Sequence, residues 1–177
     1  MIRIFDFFFS LIGLIFLSPL LILLWLIGLF ENGSPIFMQK RIGINLKHFV
    51  LIKFRTMPIK TRSTGTHLIK DIKFTFFGNF LRQTKLDELP QLLNVLYGNM
   101  SLVGPRPCLL NQKRLIKERK KRKVFKVKPG ITGLSQISGI TMKTPILLSK
   151  TDLKMIKSMN LYYYFYYIFK TIYIITR

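Results

Sequence analysis

Apolar and polar positions divide this chain unevenly. From Phe7 to Phe30, twenty-four consecutive residues carry no charge, a run long enough for a membrane helix and longer than the apolar core of a signal peptide. No small-residue cleavage site follows it. A straight helix of that length would extend about 36 Å, against a hydrocarbon core of roughly 30 Å. Ser18-Pro19 falls in the middle, where a proline removes a backbone hydrogen bond and clashes with the preceding turn, costing about 3 kcal/mol in a straight helix. A kink is expected there. Two arms of twelve residues, each about 18 Å, reach only to roughly the bilayer midplane. A kinked span and a re-entrant helix-break-helix both fit, and kinked spans are the commoner class.

Beyond this run the pattern shortens. Glu31-Asn32-Gly33-Ser34-Pro35 is a turn-rich exit, and Ile36 to Ile42 with His48 to Phe54 flank Gly43-Ile44-Asn45, which predicts a β-hairpin. Pro58 to Ile72 shows no period and is expected as a loop. Pro90 stands where a first-turn proline would, before a short helix from Gln91 to Tyr97 that Gly98 terminates. A basic helix is expected from Leu109 to Lys123, with Arg119 to Lys123 as a solvated face or a surface that docks on an anionic leaflet. Lys128-Pro129-Gly130 reads as a turn, and Ser149 with Asp152 as a helix-capping pair. Leu161 to Phe169 is either a tyrosine-rich headgroup segment or an aromatic core strand. No internal repeat is present. The class is α+β, mainly α, divided into a membrane segment at 1–30 and a domain at 31–177.

Charge sharpens this picture. The net charge of +22, from 29 Lys and Arg against 7 Asp and Glu, falls almost wholly after residue 30, because Arg3 and Asp6 cancel before it. The Lys/Arg excess after residue 39 puts the domain on the cytoplasmic side in either topology. Such a balance implies a polyanionic partner: nucleic acid, an anionic leaflet or a phosphorylated substrate. Part of it can also reflect a compositional bias towards Ile and Lys. The single Cys108 cannot form an internal disulfide and is expected to be structural.

Among so few acids, Asp87 and Glu88 are adjacent, just ahead of the Pro90 helix and near Arg82, Lys85 and Arg106. Helix capping is the simple reading. The chemical one is that a carboxylate kept ionised at a helix N-terminus can attack phosphorus, while its neighbour holds Mg²⁺ together with phosphate oxygens. Ser101 to Pro107 adds a rigid loop that sets Arg106 between Pro105 and Pro107, and a guanidinium suits bidentate phosphate contact. Gly133 to Ile137 lacks the last glycine of a nucleophile elbow, no phosphate-binding P-loop is present, and His48 and His67 have no metal-ligand company.

Ordered blocks then carry a resemblance along nearly the whole chain: Arg3 to Asp6, Ser18-Pro19, Gly33 to Gly43, Lys53 to Met57, Leu81-Arg82, Leu86 to Gln91, Asn94-Val95, Met100 to Pro107 and Pro129 to Gln136. With these it resembles the bacterial sugar transferases, the monotopic phosphoglycosyl transferases that begin surface-glycan assembly, in their minimal form without a multispan amino-terminal region. The resemblance implies a re-entrant membrane helix broken at Ser18-Pro19, in place of the generic span, with the domain on the cytoplasmic face of the bacterial inner membrane. It implies that Asp87 attacks the β-phosphate of a UDP-sugar, releasing UMP, and that undecaprenyl phosphate then accepts the sugar phosphate. By the same likeness Glu88 binds Mg²⁺, and Arg82, Pro105, Arg106, Pro107, Arg55 and Gln136 contact substrate. The partners expected are a UDP-sugar, undecaprenyl phosphate and anionic membrane lipid, with room for a homodimer and none for nucleic acid. Ile140 stands where the family often has Arg, and Thr141 to Leu148 departs from its commoner acidic and aromatic pattern. The rivals are a basic membrane-anchored scaffold without catalysis, against which the intact acid pair speaks, and a nucleic-acid binder, which the apolar first thirty residues do not suit.

Overall fold

The computed structural model describes residues 1–59 and 74–176; the loop expected over 58–72 lies, from residue 60 on, outside the described residues. Two helices of fifteen residues open the chain, α1 (Ile2–Phe16) and α2 (Ser18–Asn32), bent by 63°. The break is at Leu17, and Ser18 and Pro19 are the first two residues of α2. A proline fits that first turn, where its missing N–H needs no helical partner of its own. The Ile15 carbonyl, whose donor in a continuous helix would be Pro19, instead accepts from Ser18 Oγ at 2.7 Å. Each arm is about 22 Å long. That exceeds the twelve-residue arms expected, because α1 takes in Arg3 and Asp6. Among the described residues no single helix is long and apolar enough to cross a membrane; α1 and α2 pass that test only as a bent pair.

The two charges of α1 face protein. Asp6 is buried, and its Oδ1 accepts from Ser101 Oγ (3.0 Å), the Leu102 amide (2.9 Å) and the Tyr164 hydroxyl (2.9 Å). The Arg3 guanidinium donates to the carbonyls of Val95 and Leu96, which end helix α4 (Gln91–Leu96). At the other end of the pair, Glu31 Oε1 accepts from the Phe77 amide at 3.0 Å, in the first turn of α3 (Phe76–Gln83).

The expected hairpin forms as β1 (Ile36–Ile42) and β2 (His48–Phe54), antiparallel and in register from Ile36 opposite Phe54 to Ile42 opposite His48. Asn94 of α4 satisfies the backbone of β2 by accepting from the Ile52 amide (3.0 Å) and donating to the Val50 carbonyl (2.7 Å). Phe49, Leu51, Val95 and Met100 bury together beneath that joint, at about 2 kcal/mol of hydrophobic stabilisation per side chain. Gly98, at φ +83°, ends the short helix as expected. A second, parallel pair joins β3 (Ser101–Val103) to β4 (Gly130–Thr132).

Three expectations are corrected in the carboxy-terminal half. Helix α5 (Lys113–Lys121) begins later than Leu109, because the Gln112 side chain caps a turn by accepting from the Leu109 amide at 2.8 Å. Ser149 and Asp152 are not a cap: after the short α6 (Leu134–Ile137), helix α7 (Pro145–Ser158) starts at Pro145, and the three-residue spacing puts both side chains on its buried face. The aromatic segment is a helix, α8 (Leu161–Ile175), capped by Asn160, rather than a strand. Tyr164 and Tyr167, three apart, pack inward beside Val103 and Met155, while Tyr162, Tyr166 and Phe169 remain exposed.

Candidate active site

Lys85 takes a left-handed conformation, φ 58°, and turns the chain from α3 into a single 3₁₀ turn, Leu86–Glu88, that carries both acids. Asp87 is only 5% exposed, with the Nζ of Lys53 from β2 at 3.8 Å from its Oδ2. Burial first, and the Glu88 charge second, raise the Asp87 carboxyl above its ordinary range against Lys53, Arg82 and Arg106. Desolvation thus outweighs the neighbouring cations at Asp87, and the carboxyl is more basic than a helix N-terminus alone would make it. Burial likewise lowers Lys53, opposed chiefly by Asp87.

Glu88 goes the other way. Burial is the largest influence and pushes it up, yet the Arg106 charge and hydrogen bond, with Lys53 and Lys85, outweigh that and leave it below the usual value. The Arg106 Nη2 donates to Glu88 Oε1 at 2.7 Å, and Glu88 raises the guanidinium in turn. Two adjacent carboxyls thus differ in basicity, and such separation is what acid–base or nucleophilic chemistry uses.

Arg106 is held by the stretch Gly104 to Pro107. Gly104 and Gly130 let this stretch lie against β4: a Cβ on Gly130 would stand 2.0 Å from the Gly104 nitrogen. Pro105 and Pro107 are buried on either side. Arg82, from α3, lies over the Phe74 ring at 4.5 Å from its centroid. Arg82, Lys85, Glu88 and Arg106 line one part of a cavity of about 800 Å³, whose remaining wall is largely apolar and includes Leu89, Leu92, Ile131, Ile168 and Ile172. Asp87 and Lys53 are not part of that lining; Asp87 adjoins it through its chain neighbour Glu88.

The fold brings together Asp87, Glu88, Arg82 and Arg106 from the residues marked in the sequence, with Gln136 on the cavity wall donating to the Gly104 carbonyl at 3.3 Å. Arg55 lies apart. It donates to the carbonyls of Ser34 (2.8 Å) and Ile36 (3.1 Å) and closes the open end of the hairpin. Lys53 was not singled out, although a lysine between Ile52 and Phe54 in an otherwise apolar strand was a usable signal. Arg41 was also passed over: it donates to the Pro107 carbonyl at 3.2 Å, and burial first, then Arg106, pulls it down to about 10. Cys108 is buried, as a structural thiol should be. Among the described residues no group of three His, Cys, Asp or Glu could cage a metal. The donor set present, Asp87 and Glu88, fits a hard cation that takes one or two carboxylates and completes its shell with phosphate and water oxygens.

Comparison with known proteins adds the lineage. The chain is 49% identical over 108 residues to the sugar transferase EpsL of Bacillus subtilis, covering 60% of this chain and 53% of that protein. It is 41% identical over 152 residues to the UDP-glucose:undecaprenyl-phosphate glucose-1-phosphate transferase of Klebsiella pneumoniae, covering 82% and 32%. It is 38% identical over 154 residues to the undecaprenyl-phosphate galactose phosphotransferase of Salmonella typhimurium, covering 77% and 32%. The chain therefore spans about half the length of the first relative and about a third of the other two. The sequence pattern that defines the bacterial sugar transferases matches residues 1–177, and the chain belongs to that family.

Proposed function

We propose that this protein transfers a sugar 1-phosphate from a UDP-sugar to undecaprenyl phosphate through a covalent intermediate on Asp87. The observation that carries the reading is the desolvated Asp87, raised in basicity, directly beside a Glu88–Arg106 pair that leads into a cavity with a charged end and an apolar wall. An ionised Asp87 oxygen attacks the β-phosphorus of the donor. The bond from that phosphorus to the bridging oxygen breaks, UMP leaves with the electron pair, and the sugar phosphate stays on the carboxylate as an acyl phosphate. A phosphate oxygen of the lipid then attacks the same phosphorus, restores the free carboxylate and forms a diphosphate linkage. Arg82 and Arg106 hold phosphate oxygens, and Lys53 steadies the carboxylate and shields it from the incoming negative charge. Glu88, with Asp87 beside it, would hold Mg²⁺, which supplies charge neutralisation at the diphosphate.

The relatives from Klebsiella and Salmonella are named for undecaprenyl phosphate with glucose or galactose, which makes these the first donors to try and surface-glycan assembly the expected destination. Placement at the cytoplasmic face of the inner membrane is supported by the bent, apolar α1–α2 pair and by the basic domain that follows it.

The test is UMP release by the full chain in detergent with Mg²⁺, undecaprenyl phosphate and a panel of UDP-sugars. With donor alone, the covalent route gives a stoichiometric burst of UMP and a labelled protein; with the lipid, turnover continues. Asp87→Ala should abolish burst and turnover, a loss of roughly a thousandfold or more, since it removes the nucleophile. Turnover in Asp87→Ala at the wild-type rate would overturn the covalent assignment.

A further inference from the structure

The loop that presents Arg106 is bound in an unusual way. Four consecutive carbonyls each accept from a different element: Gly104 from Gln136 Nε2 (3.3 Å), Pro105 from the Gly130 amide (3.0 Å), Arg106 from Arg119 Nη1 (2.7 Å) and Pro107 from Arg41 Nη1 (3.2 Å). The third link comes from the most buried of the three donor side chains. Arg119 is 2% exposed, although it stands in a run of five basic residues that reads as a solvated face. Its Nε donates to Asp152 Oδ2 (2.9 Å), its Nη2 lies 2.7 Å from the same oxygen, and Asp152 Oδ1 accepts from Ser135 Oγ (2.7 Å). Ser135 is next to Gln136, so this network also reaches the residue that holds the Gly104 carbonyl.

We infer that Arg119, locked by Asp152 and Ser135, is a positioning residue: it fixes the Arg106 backbone so that the guanidinium sits on Glu88 and faces the donor phosphates. Arg119 lines neither the acid pair nor the cavity, and its link to Arg106 runs through the Arg106 carbonyl. A buried ion pair is weak grounds for stability, since apolar residues of similar volume often serve as well or better. What an apolar pair cannot supply is a rigid, planar fork that bonds a carboxylate and a carbonyl at once. The inference rests on the proposed function for its catalytic readout, and a second readout is independent of it.

The test is the double variant Arg119→Met with Asp152→Leu, with Arg119→Lys beside it. The double variant removes both buried charges together, so it should fold, with its melting point lowered only by the Ser135 hydroxyl and the Arg106 carbonyl that lose their partners. Its kcat/KM for UMP release should fall about tenfold or more, as for a misplaced electrostatic group. The Arg106 Nη2 donates to Glu88 Oε1 at 2.7 Å, so with ¹⁵N-labelled arginine the Arg106 side-chain signal, identified by its loss in Arg106→Lys, should exchange faster with solvent as the guanidinium leaves its seat. A folded double variant with wild-type kcat/KM and wild-type exchange of the Arg106 side chain overturns the inference. Should it not fold, Arg119→Lys decides: a lysine keeps a cation beside Asp152 but not the second arm, so the same two changes are expected in smaller measure, and their absence is equally fatal. If wild-type protein releases no UMP from any donor, the functional reading fails on its own and the exchange of the Arg106 side chain alone judges the strut.

Discussion

At the scale of single residues, the site works by setting two neighbouring carboxyls apart. Asp87 is pushed up by burial and Glu88 is pulled down by Arg106, so the acid limb of activity belongs to Asp87. The nucleophile must be ionised, and its protonated form is favoured by desolvation. kcat/KM should therefore climb with pH through a midpoint above the ordinary carboxylate value. Lys53, lowered by its own burial, loses its charge at a lower pH than a free lysine, which sets an alkaline limb below the usual lysine range if that charge is needed. Lys53→Met removes a cation that opposes the rise at Asp87, so the acid limb should move to still higher pH; a limb that stays put in this variant would remove Lys53 from the mechanism. Stability has the opposite residue dependence: Glu88 contributes while ionised, and that contribution is lost as pH falls through its depressed folded value, below the ordinary carboxylate range. The acids were legible because seven among 177 residues are conspicuous. Lys53 offered only its apolar neighbours as a signal and Arg119 none, because 29 basic residues give each one little weight, and burial, a property of the fold, is what separates Arg119 from the basic run around it.

At the scale of elements, the helices and strands that announced themselves were those with punctuation. The hairpin and α4 carry their turn residues and terminating glycine in the sequence. Helix α7 was misread because a Ser and an Asp three apart satisfy two patterns at once, a cap and one face of a helix, and the upstream Pro145 decides between them. Tyrosines suit strand and helix alike, so α8 needed its tertiary partners to declare itself. The same limit hid Asp6, which in sequence only cancels Arg3. In the fold its Oδ1 takes three donors from β3 and α8. Asp6→Ala leaves all three without an acceptor inside the protein and should cost about 3 kcal/mol. Asp6→Asn keeps one amide oxygen in place of Oδ1 and should cost roughly half as much. Thermal melting in detergent orders the two; equal melting points for Ala and Asn would mean that the Oδ1 bonds contribute little.

For the whole molecule, the contacts made by the two ends of the α1–α2 pair bear on the proposed re-entrant topology. Arg3 and Asp6 at one end are bonded to α4, β3 and α8, while Glu31 at the other is bonded to the first turn of α3. A segment that entered a bilayer on one face and left on the other could not make both sets of contacts to one domain. The 63° bend at Leu17 and arms of about 22 Å are the dimensions that the proposed re-entrant form requires of an apex entering an apolar layer and returning. Hydropathy alone could not reach this reading, since a kinked span and a re-entrant loop share one pattern; the family resemblance implied it, and the contacts at the two ends support it. The sole native thiol, Cys108, is buried, so added cysteines report cleanly. A cysteine placed ahead of Met1 and one at Lys47→Cys, on the exposed hairpin tip, should both resist a membrane-impermeant maleimide in intact spheroplasts and both react after permeabilisation. Labelling of the amino-terminal cysteine alone in intact spheroplasts would put the two ends on opposite faces. Those contacts would then have to break on insertion, and the re-entrant reading would fall with them.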